Sequence, residues 1–308
     1  MVDLKDIRRK TLIDKISQKV FLLLTLFCAS IIVFIVLFIL IRGLMPFIVR
    51  YDTPIGPLRV NPWRFMTGGT WYEPPNLYGI GFIIINTLYV VFLAILIAVP
   101  ISVLTALFIA RIAPKKIGAA MNYVVELLAS IPSIIYGVFG IGVITAFVRG
   151  TASIFGFQSA GGISTIATVL VLAIMIMPTV TMLSISAIKA VRKELVHASL
   201  ALGTSEAQTN FRIVIPSAKG GIFSGIILGV GRALGEATAV SMVAGNAGSG
   251  PTFSLFDTTR TLTSTMLLGL KETTGLDYDI RFSVGIVLII IIIVTNIILN
   301  RFKKRLER

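Results

Sequence analysis

The sequence predicts an all-α integral membrane protein with six transmembrane helices. Three observations carry that expectation. Of 308 residues, 56% are hydrophobic and only 14% charged, against roughly a quarter charged in a soluble domain. The mean hydropathy is +0.94. The apolar residues also gather into runs of about 20, enough to cross a hydrocarbon core at about 1.5 Å per residue. This composition excludes a soluble enzyme, a disordered chain and a disulfide scaffold. A lone Cys28 and a lone His197 argue against a thiolate or histidine metal site, so no metal is expected.

The elements follow in order. Residues 20–41 are uncharged and form the first span. That run starts too late, is too long and lacks a small-residue cleavage site, so it reads as an anchor and not a removed signal. Residues 80–110 are the second span, with Pro100 expected to kink it. Residues 117–148 are the third, interrupted by Glu126, and 162–188 the fourth, containing Pro178. Residues 221–245 are the fifth, carrying Arg232 and Glu236, and 283–300 the sixth. A basic segment, 1–19, precedes one membrane domain, 20–302, and a tail, 303–308, follows it. Within the basic segment Leu4, Ile7, Leu12 and Ile16 suit an interfacial helix and equally a solvated tail.

The net charge of +14, from 28 Lys and Arg against 14 Asp and Glu, would suggest nucleic acid in a soluble protein. Here it reports topology, so membrane lipid and not nucleic acid is the expected surroundings. Nineteen basic residues fall in the two terminal segments and in loops 111–116 and 189–219. The opposite loops hold eight, so both termini are expected in the cytoplasm of a cell-membrane protein. Outer loop 43–79 contains six of the twelve prolines and both tryptophans, which points to an ordered structure. A second outer segment, 246–282, is too long for a simple turn.

Loop 194–216 is the most informative stretch. Leu195, Ala198 and Leu202 keep helical spacing, and Gly203 suits a left-handed stop. A second short helix from Ser205 leads to Pro216 at the start of the fifth span. Helix, glycine and helix make a protruding element that can pass force from a cytoplasmic partner to the membrane.

These residues resemble the permeases of ATP-binding-cassette importers, whose cytoplasmic loop reads Glu-Ala-Ala, three residues, Gly, nine residues, Ile-x-Leu-Pro. His197-Ala198-Ser199, Gly203, Ile213 and Ile215-Pro216 fall at that spacing. His197 replaces the usual glutamate, which helps seat the loop in the ATPase, and Ser199 replaces the second alanine. Residues 126–140 and 229–246 resemble phosphate importer permeases of the Pst system, and 239–246 with 254–263 resemble their PstC branch. The resemblance implies a type I, MetI-like permease fold. It also implies a PstA-like second permease, two cytoplasmic PstB-like ATPases and an external PstS-like phosphate-binding protein. ATP and Mg would be bound by the ATPases and no cofactor by this chain, which has no Gly-x-x-x-x-Gly-Lys-Ser/Thr loop. A PstA-type chain, a sulfate or molybdate permease and an ion-coupled secondary transporter remain the alternatives.

Gly221, Gly225 and Gly229 form a stripe for close helix packing, and Arg232 and Glu236 would continue it as one face. Counted from 117, Glu126 would lie at a depth similar to Arg232. The resemblance makes Arg232, Glu236 and Glu126 candidates for the substrate path, with the guanidinium meeting phosphate oxygens. The competing reading is a buried ion pair that only fixes packing. Two acids and one arginine would leave this interior net negative, so further positive charge would have to come from elsewhere.

Overall fold

An unbroken helix, α1 (Leu4–Ile48), opens the computed structural model, which describes residues 4–54, 56–73 and 76–307. Residues 1–3, Ile55, Pro74, Pro75 and Arg308 lie outside the described residues, as do the side chains of Leu4, Ile7 and Leu12. No break separates the basic segment from the first span, because glycine and proline are absent before Gly43 and Pro46. Residues 20–37 are exposed along their whole length, as an apolar helix in lipid is.

Two small hairpins, β1 (Tyr51–Thr53) with β2 (Gly56–Leu58) and β3 (Trp71–Tyr72) with β4 (Leu77–Tyr78), flank helix α2 (Pro62–Thr67). They form a cap on the side opposite the termini. The aromatic content of this loop explains its order: Phe65, Trp71 and Tyr78 are buried against Ile80, Phe82, Leu262 and Ile280. Trp63, by contrast, is 75% exposed. Charges bind the cap to the last span. Fully buried Arg281 pairs with Glu73, and Arg42 lies 3.5 Å from Asp279. Tyr51 donates to the same Asp279 at 2.7 Å, and burial together with that carboxylate pushes its phenol well above the ordinary range.

The membrane core follows. Helix α3 (Gly81–Leu107) contains Pro100 and continues through a π-helical turn, 108–112. After α4 (Lys115–Ser130), helices α5 (Ser133–Phe139) and α6 (Thr145–Ile154) run on through a second π turn. Helix α7 (Thr165–Lys189) is the most buried span and contacts both α3 and α10 (Ile215–Gly235). Between α7 and α10 come α8 (Lys193–Ala201), α9 (Glu206–Thr209) and a third π turn, 210–214. Short helices α11 (Thr238–Val243) and α12 (Leu262–Leu267) precede α13 (Leu276–Glu307), which packs on α1 and α10. Among the described residues six helical runs are long and apolar enough to cross a membrane: Ile13–Ile48, Gly81–Ile112, Ser133–Ile154, Thr165–Lys189, Glu206–Gly235 and Leu276–Leu306.

Two expectations are corrected. The third span is not one helix over 117–148: Ile131 is extended ahead of Pro132, and the spanning helix begins at Ser133. A proline disfavours helical backbone in the residue before it and has no N–H to continue the ladder. The fifth span is not 221–245 either, because α10 ends at Gly235 and Glu236 is extended at ψ 116°. The Glu236 carbonyl instead accepts from Thr263 Oγ1 at 2.7 Å, a partner 27 residues away.

Candidate functional site

Two regions hold the candidate residues, one on the side of the termini and one within the membrane. The first is the elbow α8–Gly203–α9. Gly203 has φ +83°, and Gly203 N–H donates to Leu200 O at 2.9 Å. The elbow is held from inside by three hydroxyls. Ser199 Oγ lies 2.7 Å from Thr204 Oγ1 and 3.0 Å from Thr209 Oγ1, and the two threonine oxygens are 2.9 Å apart. The serine in place of the usual alanine therefore ties α8 to α9. Ser205 caps α9 in a reciprocal box with Gln208.

Val196 and Ser199 form the inner face of α8, while Leu195, His197, Ala198, Leu200 and Leu202 are exposed, Leu202 at 86%. The helically spaced stripe Leu195–Ala198–Leu202 thus points outward. Phe211 is also exposed, and Ile213 is half-buried. Ile215 and Pro216 open α10, so residues 206–235 form one continuous helical run from the elbow into the membrane.

The second region lies along α10. Gly221, Gly225 and Gly229 face α7: a Cβ at these positions would stand 2.4 Å from Ala187 Cβ, 3.1 Å from Leu183 Cβ and 2.9 Å from Val180 Cγ2. In the last turn, Arg232 Nη1 donates to Thr179 Oγ1 of α7 at 2.9 Å. The half-buried guanidinium borders a groove of about 680 Å³ between α7, α10 and α13. Thr179, Leu183, Ser224, Leu228 and Asn296 also line it.

The three charged candidates do not come together. Glu236 Oε1 accepts from Ala239 N–H at 2.9 Å and so starts α11. The shared face with Arg232 is lost because the helix stops between them. Glu126 is exposed on α4, accepts from Asn122 Nδ2 at 2.6 Å and lines a different hollow with Lys115 and Lys189. Its expected depth placed it in a membrane-spanning helix, whereas α4 ends at Ser130 and the spanning run begins at Ser133. Arg232 belongs to neither of the ion pairs Arg281–Glu73 and Arg42–Asp279. Arg232 therefore keeps its positive charge uncompensated at ion-pair distance. Sequence reasoning missed Thr179, Ser224 and Asn296. Only Asn296 left a visible signal, as an amide inside an isoleucine-rich run.

With this geometry in place, comparison with known proteins is informative. Residues 98–308 match the family described as binding-protein-dependent transport system inner membrane component. A probable ABC transporter permease, YqgH of Bacillus subtilis, is 34% identical over 83% of this chain and 80% of its own. The phosphate transport system permease protein PstC of Pasteurella multocida is 32% identical over 80% and 81%. Among solved structures, a bacterial alginate ABC transporter in complex with an alginate-bound periplasmic protein superposes with a TM-score of 0.66 at 19% identity. The match covers 98% of this chain and 96% of that one, a likeness of fold.

Proposed function

The chain belongs to the family of binding-protein-dependent transport system inner membrane components, and we propose that it is one of two permeases of an ATP-driven phosphate importer. Relatives named as phosphate permeases support the choice of solute. The mechanical reading rests on one observation: an apolar elbow, exposed on the side of the termini, that continues without a break into the helix bearing Arg232.

An ATPase subunit docks on the elbow through Leu195, Leu200, Leu202 and Phe211, burying apolar surface that the chain leaves uncovered. The Ser199–Thr204–Thr209 knot keeps the elbow rigid. A displacement there carries along the helical run 206–235, about 45 Å long at 1.5 Å per residue. At its far end Arg232 offers a planar guanidinium to phosphate oxygens. Glu236 shapes that end by starting α11. In this reading both termini are cytoplasmic, and the aromatic cap faces outward to meet a phosphate-binding protein. ATP and Mg bind two ATPase subunits, the chain itself carries no catalysis, and a PstA-like permease completes the pathway.

The test is to purify the chain with its co-expressed partners, place the complex in proteoliposomes and measure ATP-driven uptake of phosphate against sulfate. Phosphate uptake that needs ATP and the binding protein is the expected result. Uptake driven by an ion gradient without ATP would refute it.

A further inference from the structure

Asn296 is the residue of α13 that lines the groove, and the function proposed above gives it no role. It stands in the isoleucine-rich run of α13, roughly 30 Å along the helix from Leu276 at 1.5 Å per residue. It is half-buried, and its amide makes no hydrogen bond among the described residues. An unsatisfied amide is costly at membrane depth, so a partner from outside this chain is required.

The groove identifies that partner. Asn296 forms its α13 wall, and the α10 wall runs from Arg232 to Ser224, about 12 Å toward the side of the termini. Thr179 already accepts from Arg232, and the Ser224 hydroxyl is spent on Gly220 O at 2.9 Å. Asn296 keeps its carbonyl oxygen and both amide hydrogens uncommitted, the largest free hydrogen-bonding capacity of the three.

We propose that Asn296 contacts the transported anion and selects a protonated oxyanion, an inference that rests on the phosphate-permease reading. A guanidinium only donates, so Arg232 attracts phosphate and sulfate alike. At neutral pH phosphate still carries a P–O–H, whereas sulfate carries no proton. Asn296 Oδ1 accepts from that hydroxyl while its amide donates to an unprotonated oxygen. Sulfate at the same place sets lone pairs against the carbonyl oxygen. A site built to pair a hydroxyl rejects an analogue that lacks one.

The test uses the whole reconstituted complex in a Cys28→Ala background. Asn296→Cys should react with a small charged thiol reagent, as a water-lined position does. Asn296→Leu should lower phosphate uptake about tenfold or more while the complex assembles and retains its ATPase, and Asn296→Gln should restore most of the uptake. For selectivity, Ser224→Cys should be protected from the reagent by inorganic phosphate and not by sulfate at equal concentration, and adding Asn296→Leu should remove the difference. An unreactive thiol at 296, unchanged uptake in Asn296→Leu or equal protection by both anions overturns the proposal. Failed assembly in Asn296→Leu overturns it too, by assigning Asn296 to a contact with the second permease. A wild-type complex that imports another solute but no phosphate overturns the functional reading itself, an outcome visible before any variant is made.

Discussion

Glycine serves two unlike ends in this chain, and substitution separates them. Gly203 has nothing within 4 Å of a built Cβ, so only its φ of +83° requires glycine. A valine there is strained by about 1–3 kcal/mol. We expect Gly203→Val to assemble in the membrane but to lose transport, with ATP hydrolysis released from its dependence on the binding protein. Uptake at the wild-type rate would show that the turn is not needed. Gly221 is the opposite case, since its helical backbone suits any residue but a Cβ would lie 2.4 Å from Ala187. Gly221→Ala should destabilise the purified protein by about 1–3 kcal/mol through overpacking. Gly150→Ala, exposed in α6 with open space around it, should be neutral or slightly stabilising. Thermal unfolding of both in detergent decides the matter. At Arg232 the absence of an ion pair with Glu236 changes the informative variants. Glu236→Gln keeps an oxygen to accept from Ala239 and should fold. Arg232→Gln should abolish phosphate uptake with assembly intact, and normal uptake by that variant would remove arginine from the path.

At the scale of elements, the elbow is stiff inside and sticky outside. Its three hydroxyls satisfy one another, so the turn does not depend on a partner for its shape. Its outer edge is apolar and uncovered, with Leu202 86% exposed. Leu202→Glu should therefore leave stability unchanged while weakening ATPase association by about 2 kcal/mol, the size of an interface hot spot. Co-purification of the ATPase with wild-type and variant chains measures this, and equal recovery would place the docking surface elsewhere. Arg111 of the first π turn donates to Asn210 of the third at 3.3 Å. The elbow is thus braced against α3 as well as continuous with α10.

For the whole molecule, an even number of spans puts both termini on one side with the elbow, and the aromatic cap on the other. In the orientation proposed above, the first and more basic side is the cytoplasmic one. In a Cys28→Ala background, Glu272→Cys should react with an impermeant thiol reagent in intact cells. Ala207→Cys, exposed on α9, should react only after the membrane is opened. The reverse pattern would invert the topology and with it the assignment of the ATPase face. The cap shares its core with α3, α12 and α13 and pairs Glu73 with buried Arg281, and that core includes no described residue of α10, so the cap can stay rigid while α10 moves.

What the sequence determined by itself is what local chemistry encodes. Runs of about 20 apolar residues name their spans because the bilayer core is a fixed thickness. The elbow is legible because a left-handed glycine, a serine cap and a proline act within a turn of themselves. Pro132 was legible too, but the apolar run around it hid the helix break. The partners of the charged residues were not legible. Glu236 looks like the i+4 neighbour of Arg232 until a carbonyl contact with Thr263 and a cap on Ala239 end the helix between them. The groove draws Thr179, Ser224, Arg232 and Asn296 from three helices that are distant in sequence. Only tertiary packing decides which of those faces meet, because hydropathy specifies how deep a helix sits and not how it is rotated about its axis.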